Sequence, residues 1–149
     1  MRAVVQRVSR ARVRVEGATI GEIAGGLMVL VGVGVDDGPG DARAMAQKIA
    51  GLRIFPDEQG LMNRSIQEHG GAVLLVSQFT LHGDARRGRR PSFASAAKES
   101  EARVLYQLAG HTLESLGVTV AYGKFGARMD VELVNEGPVT ILLDTKRAF

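Results

Sequence analysis

Two hydrophobic rhythms run along this chain. From Ala3 to Glu16 apolar and polar residues take turns, a period-two pattern that predicts two short strands meeting around Ser9-Arg10. Val13 and Val15 would face inward, Arg12 and Arg14 outward. Past the Gly25-Gly26 turn, Leu27 to Val35 is unbroken apolar sequence rich in valine, as expected of a central strand covered on both faces. Asp36 to Gly40 punctuates, and Asp41 is placed to cap a helix in which Met45, Ile49 and Leu52 recur at helical spacing until Phe55-Pro56 stops it. A second buried strand, Ala72 to Thr80, runs into a glycine- and arginine-rich loop, Gly83 to Pro91, expected to be exposed. Helical periodicity resumes near Ser92, where Val104, Leu105, Leu108, Thr112 and Leu116 form a stripe that Gly117 can end. Strands are then predicted over Val118 to Tyr122, Arg128 to Asn135 and Val139 to Asp144, the last two parted by Glu136-Gly137-Pro138.

This order predicts one compact α/β domain over residues 1–149, with a mixed, barrel-like sheet and at least two helices. A chain of 149 residues, 45% of them hydrophobic, is long enough to bury a sizeable core. Its longest apolar stretch, Leu27 to Val35, falls far short of the roughly 20 residues that cross a bilayer. No basic-then-apolar leader opens the chain, so a cytoplasmic protein without a membrane partner is expected.

Cysteine is absent, which removes disulfides, thiolate nucleophiles and zinc-thiolate sites. His69, His82 and His111 lie too far apart to pair at ligand spacing, so no metal and no cofactor are expected. The net charge is only +3, yet fifteen of the nineteen basic residues are arginine, clustered at Arg7, Arg10, Arg12 and Arg14 and again at Arg86, Arg87, Arg89 and Arg90. Such clusters are either a footprint for a polyanion or a solvated face.

Three segments carry candidate chemistry. In Ser77-Gln78-Phe79-Thr80-Leu81-His82-Gly83-Asp84 an apolar strand ends in polar side chains, and strand ends are where α/β folds place sites. Thr80, His82 and Asp84 invite a reading as nucleophile, base and orienter. Residues two apart on a strand are ~6.6 Å apart, however, too far for proton transfer unless the chain bends sharply. In Asn135-Glu136-Gly137-Pro138-Val139-Thr140, proline must break a ladder and Gly137 permits unusual dihedrals, features that also fit an ordinary β-turn. Gly123 to Met129 sets glycines around Phe125 and two cations but lacks the Walker spacing, so a strand-connecting loop is the simpler reading.

Taken together these segments resemble the D-aminoacyl-tRNA deacylase family, formerly described as D-tyrosyl-tRNA deacylases. The resemblance runs end to end: Gln6-Arg7-Val8, Phe55-Pro56-Asp57 with Met62-Asn63 and Ser65, Ser77 to Leu81, Arg90-Pro91-Ser92-Phe93, Gly123 to Ala127, and Asn135 to Thr140. The Ser-Gln-x-Thr and Asn-x-Gly-Pro-x-Thr motifs are its specific part.

The resemblance implies a homodimer that hydrolyses D-aminoacyl-tRNA, and also glycyl-tRNA mischarged on tRNA(Ala), at the tRNA acceptor end. It further implies a cis Gly137-Pro138 peptide that reaches into the partner's pocket, where its carbonyl oxygens hold the α-amino group and exclude an L side chain. Arg7 would fix that motif. Ser77, Gln78, Phe79 and Thr80 would line the adenosine and ester pocket, with Phe125, Ala127 and Met129 nearby. Either Thr80 attacks the ester, or its backbone N–H stabilises the oxyanion while the ribose 2′-hydroxyl activates water. The second is favoured, because a threonine hydroxyl is weak without an adjacent base. Two rival readings stay open: a non-catalytic RNA-binding module, and a small-molecule esterase or amidase.

Overall fold

The computed structural model describes residues 1–149, and its backbone is organised around one long strand. β1 (Arg2–Val15) pairs antiparallel with three others. Its first half pairs with β3 (Gly26–Gly32), its second half with β2 (Ala18–Ile23), and its other edge with β8 (Asp130–Asp144). The expectation of two short strands gives way to this single one, because the change of direction at Ser9-Arg10 is absorbed by register shifts against β8 between Gln6 and Arg10. Beyond β3 the sheet turns parallel, adding β6 (Ala72–Ser77) and then β7 (Thr119–Tyr122). Gly21 of β2 lies against the Tyr122 carbonyl of β7, so the mixed sheet curls almost into a barrel.

Each face of the sheet has its own core. The larger gathers Val5, Leu27, Val29, Val73 and Leu75 under the helices α1 (Pro39–Gly51) and α3 (Glu99–Ser115). The smaller joins Val8, Ala11, Val13, Ile23, Met28, Leu74 and Val76. β3 and β6 feed both, which is why they read as unbroken apolar runs. Every fully buried leucine or valine here contributes roughly 1.5–3 kcal/mol.

The helices differ from their predicted form in detail. Asp41 is not the cap residue: Gly38 takes that place, and Asp41, three positions later, accepts the Gly38 N–H at 3.0 Å. α3 begins at Glu99 rather than near Ser92, since Ser92 bridges Asp84 and Ala96 bridges Gly34, with a turn between them. Val104 points to solvent, and the buried stripe is Ala102, Leu105, Tyr106, Ala109 and Leu113. Gly117, at φ +84°, follows the helix end as predicted. Phe55-Pro56 does not merely stop a helix: it forms β4 (Phe55–Pro56), paired with β5 (Met62–Arg64). The one-turn α2 (Ile66–His69) is opened by Ser65 and Glu68 in a reciprocal capping box. No helix is long and apolar enough to cross a membrane.

β8 is one strand where two were predicted, and it starts at Asp130 rather than Arg128. The predicted interruption survives inside it. Gln6 pairs with Thr140 and Val8 with Asn135, so Arg7 alone stands opposite the four residues 136–139, which bulge out of the ladder.

Candidate functional site

β3, β6 and β7 run parallel, and the chain leaves the carboxyl end of each at one side of the sheet. There β6 ends three residues earlier than predicted, at Ser77, and the chain bends into a 3-10 turn over Phe79–His82. The bend requires Gly32: a Cβ there would come within 2.7 Å of the Gln78 carbonyl oxygen. Gln78 N–H still donates to the Val31 carbonyl at 2.8 Å, anchoring the turn to β3.

The bend separates the residues that a straight strand would have aligned. The Gln78 side-chain amide donates to the Thr80 hydroxyl. His82 is buried against Gly32 and Gly34, and its Nε2 has no partner. Asp84 is held by Arg86 at 2.6 and 2.9 Å, and the hydrogen bonds from Arg86 keep its carboxyl well below the usual range. No Thr-His-Asp relay exists. In either orientation of the Gln78 amide, nothing beside Thr80 takes a proton from its hydroxyl. The N–H groups of Phe79 and Thr80, in the first turn of the 3-10 segment, make no hydrogen bond within the chain.

A cavity of about 490 Å³ opens beside this turn. Ser77, Gln78 and Phe79 form one wall, and Phe125, Ala127 and Met129 another, so six of the sequence-predicted residues meet. The Phe125 ring is fixed from two sides, by the Arg103 guanidinium 4.6 Å from its centroid and by Tyr106 at 5.5 Å. Tyr106 in turn donates to the Leu75 carbonyl at 2.8 Å, and burial pushes its phenol well above the usual tyrosine range. Phe79, half exposed, meets Phe93 edge-on at 5.2 Å. Most of the lining is apolar with a few polar groups, as small-ligand sites are.

Sequence reasoning missed Val33, Val76, Ala97, Glu99, Ala102 and Val131, which with Gly126 complete the walls. Glu99 is the single ionisable group among the lining residues, tied to Arg103 at 3.0 Å. Its i,i+4 spacing to Arg103 is readable as a helix signal, but helical spacing does not say that this first turn faces the cavity.

Thr80, Arg7, Gly137 and Pro138 do not line this cavity. The last three form a second constellation on β8. Arg7 donates through Nε to the Glu136 carbonyl at 3.1 Å and through a terminal nitrogen to the Ile54 carbonyl at 2.7 Å. The Asn135 side chain closes the bulge, accepting Val139 N–H at 2.8 Å and donating to the Thr140 hydroxyl at 3.1 Å, where Gln6 also donates. Gly137 has φ +136°, and a Cβ on it would meet Val139 and the Arg7 guanidinium. The Gly137-Pro138 peptide is cis, and residues 136–138 are exposed. The remaining N-terminal arginines are not one free cationic face: Arg12 grips Glu132 at 2.8 and 3.2 Å, and Arg14 lies 3.8 Å from the same carboxylate.

Fold and cavity define an α/β protein with a cavity suited to a small, partly apolar ligand at its parallel strand ends, beside free backbone donors. Residues 4–144 match the sequence profile of the D-Tyr-tRNA(Tyr) deacylase family, and this chain belongs to that family. It is 57% identical to the D-aminoacyl-tRNA deacylase of Symbiobacterium thermophilum over 100% of this chain and 99% of the relative. With that of Anaeromyxobacter dehalogenans it shares 58% identity over the full length of both. Among solved structures it superposes on the c-Myc DNA Unwinding Element Binding Protein with a TM-score of 0.92 and 38% identity, covering 97% of this chain and 99% of that one. A probable eukaryotic D-amino acid tRNA deacylase shares the fold, with a TM-score of 0.82 at 19% identity over 95% of this chain and 97% of that one.

Proposed function

We propose that this chain, its 149 residues acting as one unit, hydrolyses the ester between a D-amino acid and the terminal ribose of tRNA. The observation that carries this is the apolar cavity beside the unpaired N–H groups of Phe79 and Thr80, in a chain alike over its whole length to D-aminoacyl-tRNA deacylases. The terminal adenosine enters the cavity against Phe125 and Phe79, since unstacked bases lie on aromatic rings. The ester carbonyl then sits over the 3-10 turn, whose free N–H groups stabilise the oxyanion. Water, activated by the ribose 2′-hydroxyl, attacks the carbonyl carbon. The bond to the 3′ oxygen breaks, and that oxygen takes the proton. Thr80 contributes its backbone rather than its hydroxyl.

Chiral selection belongs to Gly137 and Pro138. Their bulge is exposed, held by Arg7 and Asn135, and takes no part in lining the cavity of its own chain, which supports delivery into the cavity of a second copy in a homodimer. Main-chain oxygens there hold the α-amino group and fill the space an L side chain needs. Glycine has no side chain to exclude, so glycyl-tRNA(Ala) is also a substrate.

The test is a deacylation time course with D-tyrosyl-, L-tyrosyl- and glycyl-tRNA(Ala). The D and glycyl esters decay faster with protein than without it, and the L ester does not. Equal decay of D- and L-tyrosyl-tRNA overturns the assignment. A nucleic-acid-binding role without catalysis is the competing reading, favoured by the likeness to the DNA unwinding element binding protein. It predicts no acceleration of any ester.

A further inference from the structure

A second depression, about 510 Å³ in volume, runs alongside the apolar cavity and shares its wall at Ala127 and Met129. Its character is different. Arg14, Lys124 and Arg128 line it, with Glu16 and Asp130. Lys124 and Arg128 are exposed, and neither takes part in any ion pair of the chain. Arg14 is incompletely matched: its Nε is buried without a hydrogen-bond partner, and the nearest carboxylate, Glu132 at 3.8 Å, is already held in a fork by Arg12. That Nε is closed to solvent, but the Arg14 side chain is 39% exposed, so its terminal nitrogens remain open to an anionic oxygen.

Three features point the same way. The cations come from two stretches of chain, Arg14 from the end of β1 and the unpaired Lys124 and Arg128 from the start and close of the Gly123–Met129 loop. They form a channel rather than a point. The depression lies directly against the cavity, with Ala127 and Met129 lining both. A nucleoside seated in the cavity must send its 5′ phosphate out through the mouth, and the adjoining basic channel is where the strand meets unpaired donors. We propose that Arg14, Lys124 and Arg128 hold the phosphodiester backbone of the single-stranded RNA end whose terminal nucleoside occupies the cavity. This rests on the deacylase reading and adds a second point of attachment to it. Contacts of this kind fix register and affinity, not base identity.

The experiment compares two substrates with the full chain. D-Tyrosyl-tRNA carries the phosphates; 3′-O-D-tyrosyl-adenosine carries none. In the Lys124→Ala/Arg128→Ala variant, KM for the tRNA ester rises roughly tenfold or more with kcat preserved, and the slope of log KM against log salt falls by about 1.4, or ~0.7 per lost phosphate contact. The adenosine ester is cleaved as by wild type, and Lys124→Arg/Arg128→Lys restores the tRNA ester. Unchanged KM for the tRNA ester overturns the proposal, as does equal loss on both substrates, which marks damage to the cavity. So does a loss that appears only when Arg87, Arg89 and Arg90 of the exposed loop are replaced. Wild-type protein that leaves D-tyrosyl-tRNA intact overturns the deacylase reading and the proposal with it, whereas failure of the channel alone leaves wild-type cleavage untouched.

Discussion

Arg7 donates to the carbonyl oxygen of Glu136 at 3.1 Å, and it is the one β1 residue standing opposite four on β8. The same guanidinium reaches the Ile54 carbonyl at 2.7 Å, so one planar fork ties the bulge to the segment between α1 and β4. A lysine at this place keeps the charge but cannot span both oxygens in that geometry. Arg7→Lys is expected to lower kcat/KM on D-tyrosyl-tRNA by roughly tenfold or more, the cost of a lost charged hydrogen bond at a positioned element. Steady-state kinetics check it; wild-type values would remove Arg7 from the positioning role.

Gly137 sits at φ +136°, with no room for a Cβ between Val139 and Arg7. Gly137→Ala is expected to destabilise the fold by about 1–3 kcal/mol. Urea denaturation of the two proteins measures the difference.

Thr80 has an amide beside its hydroxyl and no base. Thr80→Ala is therefore expected to keep activity within roughly tenfold of wild type, since only an auxiliary hydrogen bond is lost. A fall of several orders of magnitude would require covalent catalysis through the hydroxyl. Single-turnover deacylation distinguishes the two.

Asp41 gives a pH signature. Burial alone would raise its pKa, but hydrogen bonds from Thr145, the Gly38 N–H and Lys146 outweigh it and bring the value from 3.8 to about 2. A carboxyl depressed in the folded state adds stability above its unfolded value, and that stability is lost as pH falls through the folded one. Asp41→Asn is expected to destabilise the protein by about 1 kcal/mol at neutral pH, allowing for solvent screening. Denaturant midpoints of variant and wild type should then converge between pH 4 and 2. A gap that stays constant over that range would assign the effect to something other than the charge.

The sequence exposed the frame of the fold because β3 and β6 are buried on both faces and therefore apolar throughout. It was less informative at the joins. A β-bulge and a chain end look alike in a period-two pattern, so β1 and β8 each read as two strands until pairing revealed their continuity. The strand end at Ser77 was one-dimensionally invisible for another reason: the bend depends on Gly32, 45 residues earlier in the chain, letting the Gln78 carbonyl approach. The site followed the same division. Ser77, Gln78 and Phe79 stand next to one another in sequence and were found together, as were Phe125, Ala127 and Met129. Glu99 and Ala102 reach the cavity only through the packing of α3, which no local pattern records.

The grip on Glu136 falls on its oxygen, an atom that all twenty amino acids possess. Its side chain points into solvent and takes no part in an ion pair. Position 136 can therefore drift freely in charge and size while the shape of the bulge persists, whereas Arg7 and Gly137 have no such latitude. Fidelity at this point is inherited through the polymer's common scaffold, which mutation of a single codon at 136 leaves intact.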